Sequence, residues 1–153
     1  NGYDAGILSE AGCPGIADPG AAVVALAHQK HIQVVPLVGP SSIVLALMAS
    51  GLNGQNFAFN GYLPIDNTDR RKEIKRLEKK SIDDQQSQIF IETPYRNNKL
   101  LEELHKSLKG TTSICVACDL TLSTEFIRTR AASDWKKEKV DLHKRPAIFI
   151  IQA

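Results

Sequence analysis

The sequence predicts an α/β fold, and three observations predict it. Short apolar runs at 3–9 and 32–37 each lead through a Gly/Pro-rich loop into a pattern of small and branched residues. An amphipathic pattern at 97–108 brings Leu100, Leu101, Leu104 and Leu108 onto one helical face. Apolar runs of strand length stand on either side of it, at 88–92 and 113–118, and such alternation of strands and helices is how an α/β sheet comes to be covered.

The first run enters Leu8-Ser9-Glu10-Ala11-Gly12-Cys13-Pro14-Gly15-Ile16-Ala17-Asp18-Pro19-Gly20 and then a helix at 21–28. The second enters Leu37-Val38-Gly39-Pro40-Ser41-Ser42 and a mostly buried helix at 41–50, with Ser41 placed to cap it and Gly51 to stop it. The glycines admit conformations a Cβ hinders and the prolines fix φ. Either these loops are tight connections, or they form a crevice at the ends of neighbouring parallel strands where a ligand rests on backbone groups. Two strands cannot close a doubly wound core. Residues 1–53 therefore read as the back half of an N-terminal α/β domain, its front half missing or supplied by a partner chain.

The polar turn at 52–56 marks the boundary, and 54–153 reads as a complete α/β domain. Strands are expected at 57–62, 88–92, 113–118, 125–130 and 147–151, giving a sheet of about five. Helices are expected at 70–80, 97–108 and 131–137, the first preceded by a polar turn at 66–69.

Charge divides along the same line. Residues 1–53 hold three acids (Asp4, Glu10, Asp18) and one base (Lys30), whereas 54–153 hold 14 acids and 18 bases. The overall +2 is too small to argue for nucleic acid, but the second part is suited to an anionic partner. The three cysteines form no metal pattern: Cys115 and Cys118 fall on opposite faces of one strand and read as buried thiols of a reducing, cytoplasmic compartment. No apolar run reaches the roughly 18 residues of a membrane span, and residues 1–20 do not read as a signal peptide. His28, His31, His105 and His143 show no triad or ligand spacing.

Together the two loops, Gly61-Tyr62-Leu63-Pro64, Glu92-Thr93-Pro94-Tyr95-Arg96, and Asp119-Leu120-Thr121 with Glu125 resemble the motifs of the tetrapyrrole methylase superfamily of S-adenosylmethionine-dependent methyltransferases. They are most similar to the branch that methylates a ribose 2′-hydroxyl of small-subunit ribosomal RNA. The resemblance covers nearly the whole chain. It implies the C-terminal part of a two-domain class III methyltransferase fold, both domains being α/β sheets flanked by helices. It also implies a homodimer, with the methyl donor in the cleft between domains. A glycine-rich loop of the family is not found here, so weak cofactor binding by this chain alone is expected. The cofactor contacts implied are Ser9, Glu10, Ala11, Ser41, Ser42, Gly61, Tyr62, Leu63, Pro146 and Ala147. Four departures from the pattern stand out: Glu10 for Asp, Cys13 for Thr, Asp119 for Glu with Leu122 for Lys, and Lys144-Arg145-Pro146 for Lys-Gly-Glu.

Candidate substrate contacts are Arg70, Arg71, Lys75 and Arg76 of the basic helix, with Glu92 and Arg96. The helix reads either as a surface for RNA phosphates or as a solvated face paired with Glu73 and Glu78. Arg96 is placed either to grip a substrate phosphate or to pair with Glu92 or Glu125. Tyr62 and Tyr95 are suited to base stacking or to packing. Methyl transfer from a sulfonium needs in-line positioning more than a dedicated nucleophile, and no catalytic base is evident. A corrin or porphyrin precursor as methyl acceptor, or a non-catalytic RNA-binding module, are the alternative readings.

Overall fold

The computed structural model describes residues 2–10 and 12–153 and divides the chain into two compact units, Asn1–Ser42 and Ile43–Ala153. The division falls earlier than residue 53 because the helix after the second loop packs with the C-terminal unit. Ile43, Ala46 and Leu47 of that helix are buried against Ile89, Cys115, Ala117, Ile148 and Ile150.

In the N-terminal unit, α1 (Ala21–Gln29) starts at Gly20, whose carbonyl accepts the Val23 and Val24 N–H groups. The strands expected at 3–9 and 32–37 are not formed among the described residues. A strand exists only through its ladder, and no ladder joins either run to another segment among the described residues.

The C-terminal unit is a five-stranded mixed sheet covered on both faces. Its elements are α2 (Ser42–Ser50, from the division point onward), β1 (Phe57–Tyr62), α3 (Asn67–Asp84), β2 (Ser87–Ile91), α4 (Asn97–Ser107), β3 (Ser113–Cys118), β4 (Phe126–Ala131), α5 (Ala132–Trp135) and β5 (Ala147–Gln152). The strand order is β1-β2-β5-β3-β4; β1 and β2 are parallel and every other pair is antiparallel. Alternation along β5 sends Ala147, Phe149 and Ile151 to the face covered by α3, α4 and α5, and Ile148 and Ile150 to the α2 face. Cys118 and Cys115 divide between the two faces in the same way, both buried, and burial pushes the Cys118 thiol up to about 11. All four leucines expected to face inward from the 97–108 helix are buried.

Helix α3 is longer than the 70–80 the sequence suggests. Asp66 caps it, accepting the Thr68 and Asp69 N–H groups at 2.8 and 3.0 Å, so the polar turn is the first helical turn. Its buried residues are Arg70, Ile74, Leu77, Glu78 and Ser81, a single stripe at helical spacing.

Candidate active site at the loop end of the sheet

Strand direction brings distant motifs together. The C-terminal ends of β1 and β2, the C-terminal end of β3 and the N-terminal end of β5 all lie at one end of the sheet, where Ile91 pairs with Ile148 and Cys118 with Ala147. Residues 61–63, 92–96, 119–125 and 146–147 therefore share that end. The Asp119 N–H donates to the Pro146 carbonyl at 3.0 Å, and the Lys144 N–H to the Pro94 carbonyl at 3.1 Å.

Gly61 lies in a β-bulge. Phe59 pairs with Ile89 and Tyr62 with Ile91, so β1 carries one residue more than β2 between these pairs. Asn60 fixes the bulge by donating its amide to Gln88 Oε1 at 3.1 Å and to the Ile89 carbonyl at 3.3 Å. Gly61 has φ +63, and among the described residues a Cβ there would meet no heavy atom within 4 Å beyond its chain neighbours. The bulge leaves backbone beside open space, which suits a ligand read through N–H and C=O groups. Gly61→Ala should therefore cost about 1–2 kcal/mol through backbone conformation alone. Thermal denaturation checks this; an unchanged midpoint would contradict the left-handed geometry. Tyr62 is exposed and Leu63 is buried in the core.

The buried carboxylate of Glu92 accepts Arg96 Nε at 3.0 Å, Arg96 Nη2 at 2.7 Å and the Thr93 N–H at 2.6 Å. Arg96 thus pairs with Glu92, while Glu125 accepts the Thr121 N–H at 2.7 Å. Tyr95 is exposed and sets its ring edge-on to His143 at 5.8 Å between centroids.

Asp119 and Arg145 form a contact that sequence reasoning missed. Arg145 Nε donates to Asp119 Oδ2 at 2.8 Å, and its Nη2 and Nη1 donate to the carbonyls of Thr124 and Asp141 at 2.7 and 3.0 Å. Thr124 Oγ1 completes the Asp119 shell at 2.8 Å. Burial opposes ionisation of Asp119, but these donors outweigh it and hold its carboxyl below the ordinary value. Both residues depart from the family pattern, Asp for Glu and Arg for Gly. The joint departure was the available signal: the side chain gained at 145 reaches the carboxylate shortened at 119. Beside this loop runs a groove of about 330 Å³ lined by Leu45, Met48, Ala49, Leu120, Thr121, Glu125 and Ile127.

In the N-terminal unit the two Gly/Pro loops touch. Cys13 Sγ donates to the Pro40 carbonyl at 3.3 Å, and a Cβ on Gly20 would lie 3.3 Å from the Gly15 nitrogen, so the first loop turns back closely on itself. Ser9 and Ser41 are half-buried, Glu10 and Ser42 exposed, and Ala11 lies outside the described residues.

The basic helix is largely self-neutralised. Lys72, Lys75, Arg76, Lys79 and Lys80 pair with Asp69, Glu78, Glu73, Asp83 and Asp84. Arg70, expected at a substrate surface, is 2% exposed and locked to Glu103. The reason is its place on the inward stripe, four residues before Ile74. Arg71, Lys75 and Arg76 remain exposed. Among the described residues, no group of three or more His, Cys, Asp or Glu could hold a metal ion. Nor is any described helix long and apolar enough to cross a membrane.

The chain is 34% identical over 128 residues to the ribosomal RNA small subunit methyltransferase I of Vibrio cholerae, covering 84% of this chain and 43% of that protein. It is 30% identical over 154 residues to the protein of the same name from Escherichia coli O157:H7, covering 99% and 52%. Among solved structures, the methyltransferase CobJ superposes with a TM-score of 0.58 at 20% identity, covering 92% of this chain and 61% of that one. The uroporphyrin-III C-methyl transferase of Thermus thermophilus, complexed with S-adenosyl homocysteine, gives 0.53 at 16%, covering 92% and 62%.

By sequence the chain is similar to these ribosomal RNA small subunit methyltransferases, and by fold to CobJ and the uroporphyrin-III C-methyl transferase.

No protein-family model matches it. It spans about half the length of the curated relatives it matches. The class III methyltransferase fold of those solved structures is the fold expected from the sequence.

Proposed function

We propose that this protein is a member of the tetrapyrrole methylase superfamily, an S-adenosylmethionine-dependent methyltransferase acting on a ribose 2′-hydroxyl of small-subunit ribosomal RNA. The observation that carries the reading is the convergence of 61–63, 92–96, 119–125 and 146–147 at one end of the sheet. Relatives named for ribosomal RNA, at 30% and 34% identity, favour that acceptor over the tetrapyrroles of structural neighbours at 20% and below.

The chemistry supplied by S-adenosylmethionine when bound is an electrophilic methyl group on a sulfonium. The resemblance implies Ser9, Glu10, Ala11, Ser41, Ser42, Gly61, Tyr62, Leu63, Pro146 and Ala147 as its contacts; of these, Gly61, Tyr62, Leu63, Pro146 and Ala147 share the loop end of the sheet in the C-terminal unit. The open space beside the Gly61 bulge suits such a ligand, because a cofactor that carries its own positive charge needs hydrogen bonds more than counter-charges. Arg96, oriented by buried Glu92, presents a guanidinium suited to a substrate phosphate. Arg71, Lys75 and Arg76 stay candidates for RNA contact. Orientation of the hydroxyl against the methyl group supplies the rate. Assembly as a homodimer in the cytoplasm belongs to the same reading.

The test is transfer of tritiated methyl groups to small-subunit ribosomal RNA, followed by digestion to nucleosides. Label on a 2′-O-methylribose is the expected result. Label confined to a base, or transfer only to a uroporphyrinogen-type acceptor, overturns the assignment. Calorimetric titration with S-adenosylhomocysteine isolates the cofactor half of the claim; saturable heats are expected, and their complete absence counts against it.

A further inference from the structure

We propose that Arg128, Arg130, Lys136, Lys139 and Lys144 form a docking strip for the RNA phosphate backbone, leading it to the loop end of the sheet; this rests on the ribosomal RNA reading above. The positive charge of 54–153 is concentrated there. Residues 126–146 hold seven Lys or Arg and three Asp or Glu, while the remainder of 54–153 holds eleven of each. Helix α3, the most basic stretch to the eye, spends its charge on its own acids. Of its seven basic side chains, only Arg71 has no ion pair among the described residues.

The acids of 126–146 do not neutralise it in the same way. Glu138 alone serves both Arg128 and Arg130, at 2.7 and 2.6 Å, so that cluster keeps a surplus positive charge. Asp141 is occupied by the Asn98 amide and the His143 N–H, and Asp119 by Arg145. Lys136, Lys139 and Lys144 are exposed and have no ion pair among the described residues.

The path of the chain makes these charges a line. Strand β4 runs from Phe126, opposite Cys118 at the loop end, to Ala131, opposite Ser113 at the far end. Helix α5 turns the chain there, with the Ala132 N–H on the Thr112 carbonyl at 2.8 Å. The return passes beside β4 at Glu138, meets Asn98 through the Leu142 N–H at 2.8 Å, and reaches Pro94 through the Lys144 N–H. The strip therefore spans the length of a six-residue strand, about 20 Å. It ends beside exposed Tyr95, where an unstacked base would find an aromatic face. Such contacts position a polyanion without reading its sequence.

Fluorescence anisotropy with a labelled small-subunit ribosomal RNA transcript, across a salt series, tests the strip. The combined Lys136→Gln, Lys139→Gln and Lys144→Gln protein should bind at least tenfold more weakly at low salt. Its slope of log affinity against log salt should be shallower by about 2–3, roughly one per lysine. Lys→Arg at the same three positions should bind like the wild type, which separates charge from folding. Arg71→Gln, Lys75→Gln, Arg76→Gln and Lys79→Gln together should change the slope by less than the strip variant does. RNA binding by the wild type with an unchanged slope in the lysine-to-glutamine protein would overturn the strip and leave the ribosomal RNA reading standing. Competition by polyglutamate equal to that by RNA would overturn it in favour of an acidic protein partner. Absence of RNA binding by the wild type would overturn both.

Discussion

Glu103→Ala is expected to destabilise the C-terminal unit by about 3–5 kcal/mol, the cost of leaving a buried charge without its partner. The Arg70 and Glu103 side chains are only 3% and 10% exposed. Arg70 meets the carboxylate through both Nε and Nη2, the latter at 2.9 Å. Its remaining donors reach the Ile65 carbonyl at 3.1 Å and Asn67 Oδ1 at 2.7 Å. Removing Glu103 leaves a guanidinium facing the core between α3 and α4, with nothing to replace a two-point charged contact. Arg70→Ala should be similarly costly and, unlike loss of an RNA contact, should leave the salt dependence of binding unchanged. Urea denaturation followed through Trp135 gives the number, because this tryptophan is buried and donates its indole N–H to the Ile114 carbonyl at 2.9 Å. A loss below about 1 kcal/mol would place the pair with ordinary surface ion pairs.

The pH dependence has a definite sign. The hydrogen bond from Arg70 holds the Glu103 carboxyl below its ordinary value, against the opposing effect of burial. A depressed native pKa favours the folded state above the unfolded value, near 4.3 for Glu. That contribution is lost as pH falls through the native value. Wild type should lose stability steeply below about pH 4, and Glu103→Ala should lose less over the same interval.

Asp119→Ala should cost about 2–4 kcal/mol, because hydrogen bonds to a charged group contribute about 1.5–3 kcal/mol each and part is recovered when solvent reaches Arg145. The carboxylate is 8% exposed and joins two segments at the loop end of the sheet through Arg145 and Thr124. Hydrogen exchange should quicken at 119–125 and 144–146 more than in β3, and affinity for S-adenosylhomocysteine should fall at least tenfold. A double-mutant cycle with Arg145→Ala should give a coupling of at least about 1 kcal/mol. Coupling near zero would mean that the Asp119–Arg145 contact contributes nothing to stability.

Local pattern by itself determined the C-terminal sheet and its helices. Strands such as 147–152 are short apolar runs, and α4 shows its leucines at helical spacing; both periods are properties of adjacent residues. The motifs at 61–63, 92–96 and 119–125 were legible for the same reason, since each lies at or just past the C-terminal end of a strand. The helical period also held the clue to Arg70, which shares the stripe of Ile74 and Leu77. A guanidinium reads as solvated until a carboxylate 33 residues away is known to face it.

Tertiary structure decided what depends on partners distant in sequence. It paired Asp119 with Arg145 across 26 residues, and left the apolar runs at 3–9 and 32–37 without ladders among the described residues. It also moved the net positive charge from α3, where i,i+3 and i,i+4 acids cancel it, to the return segment after α5. Composition counts charges, but only the folded chain determines which of them face each other and which face solvent.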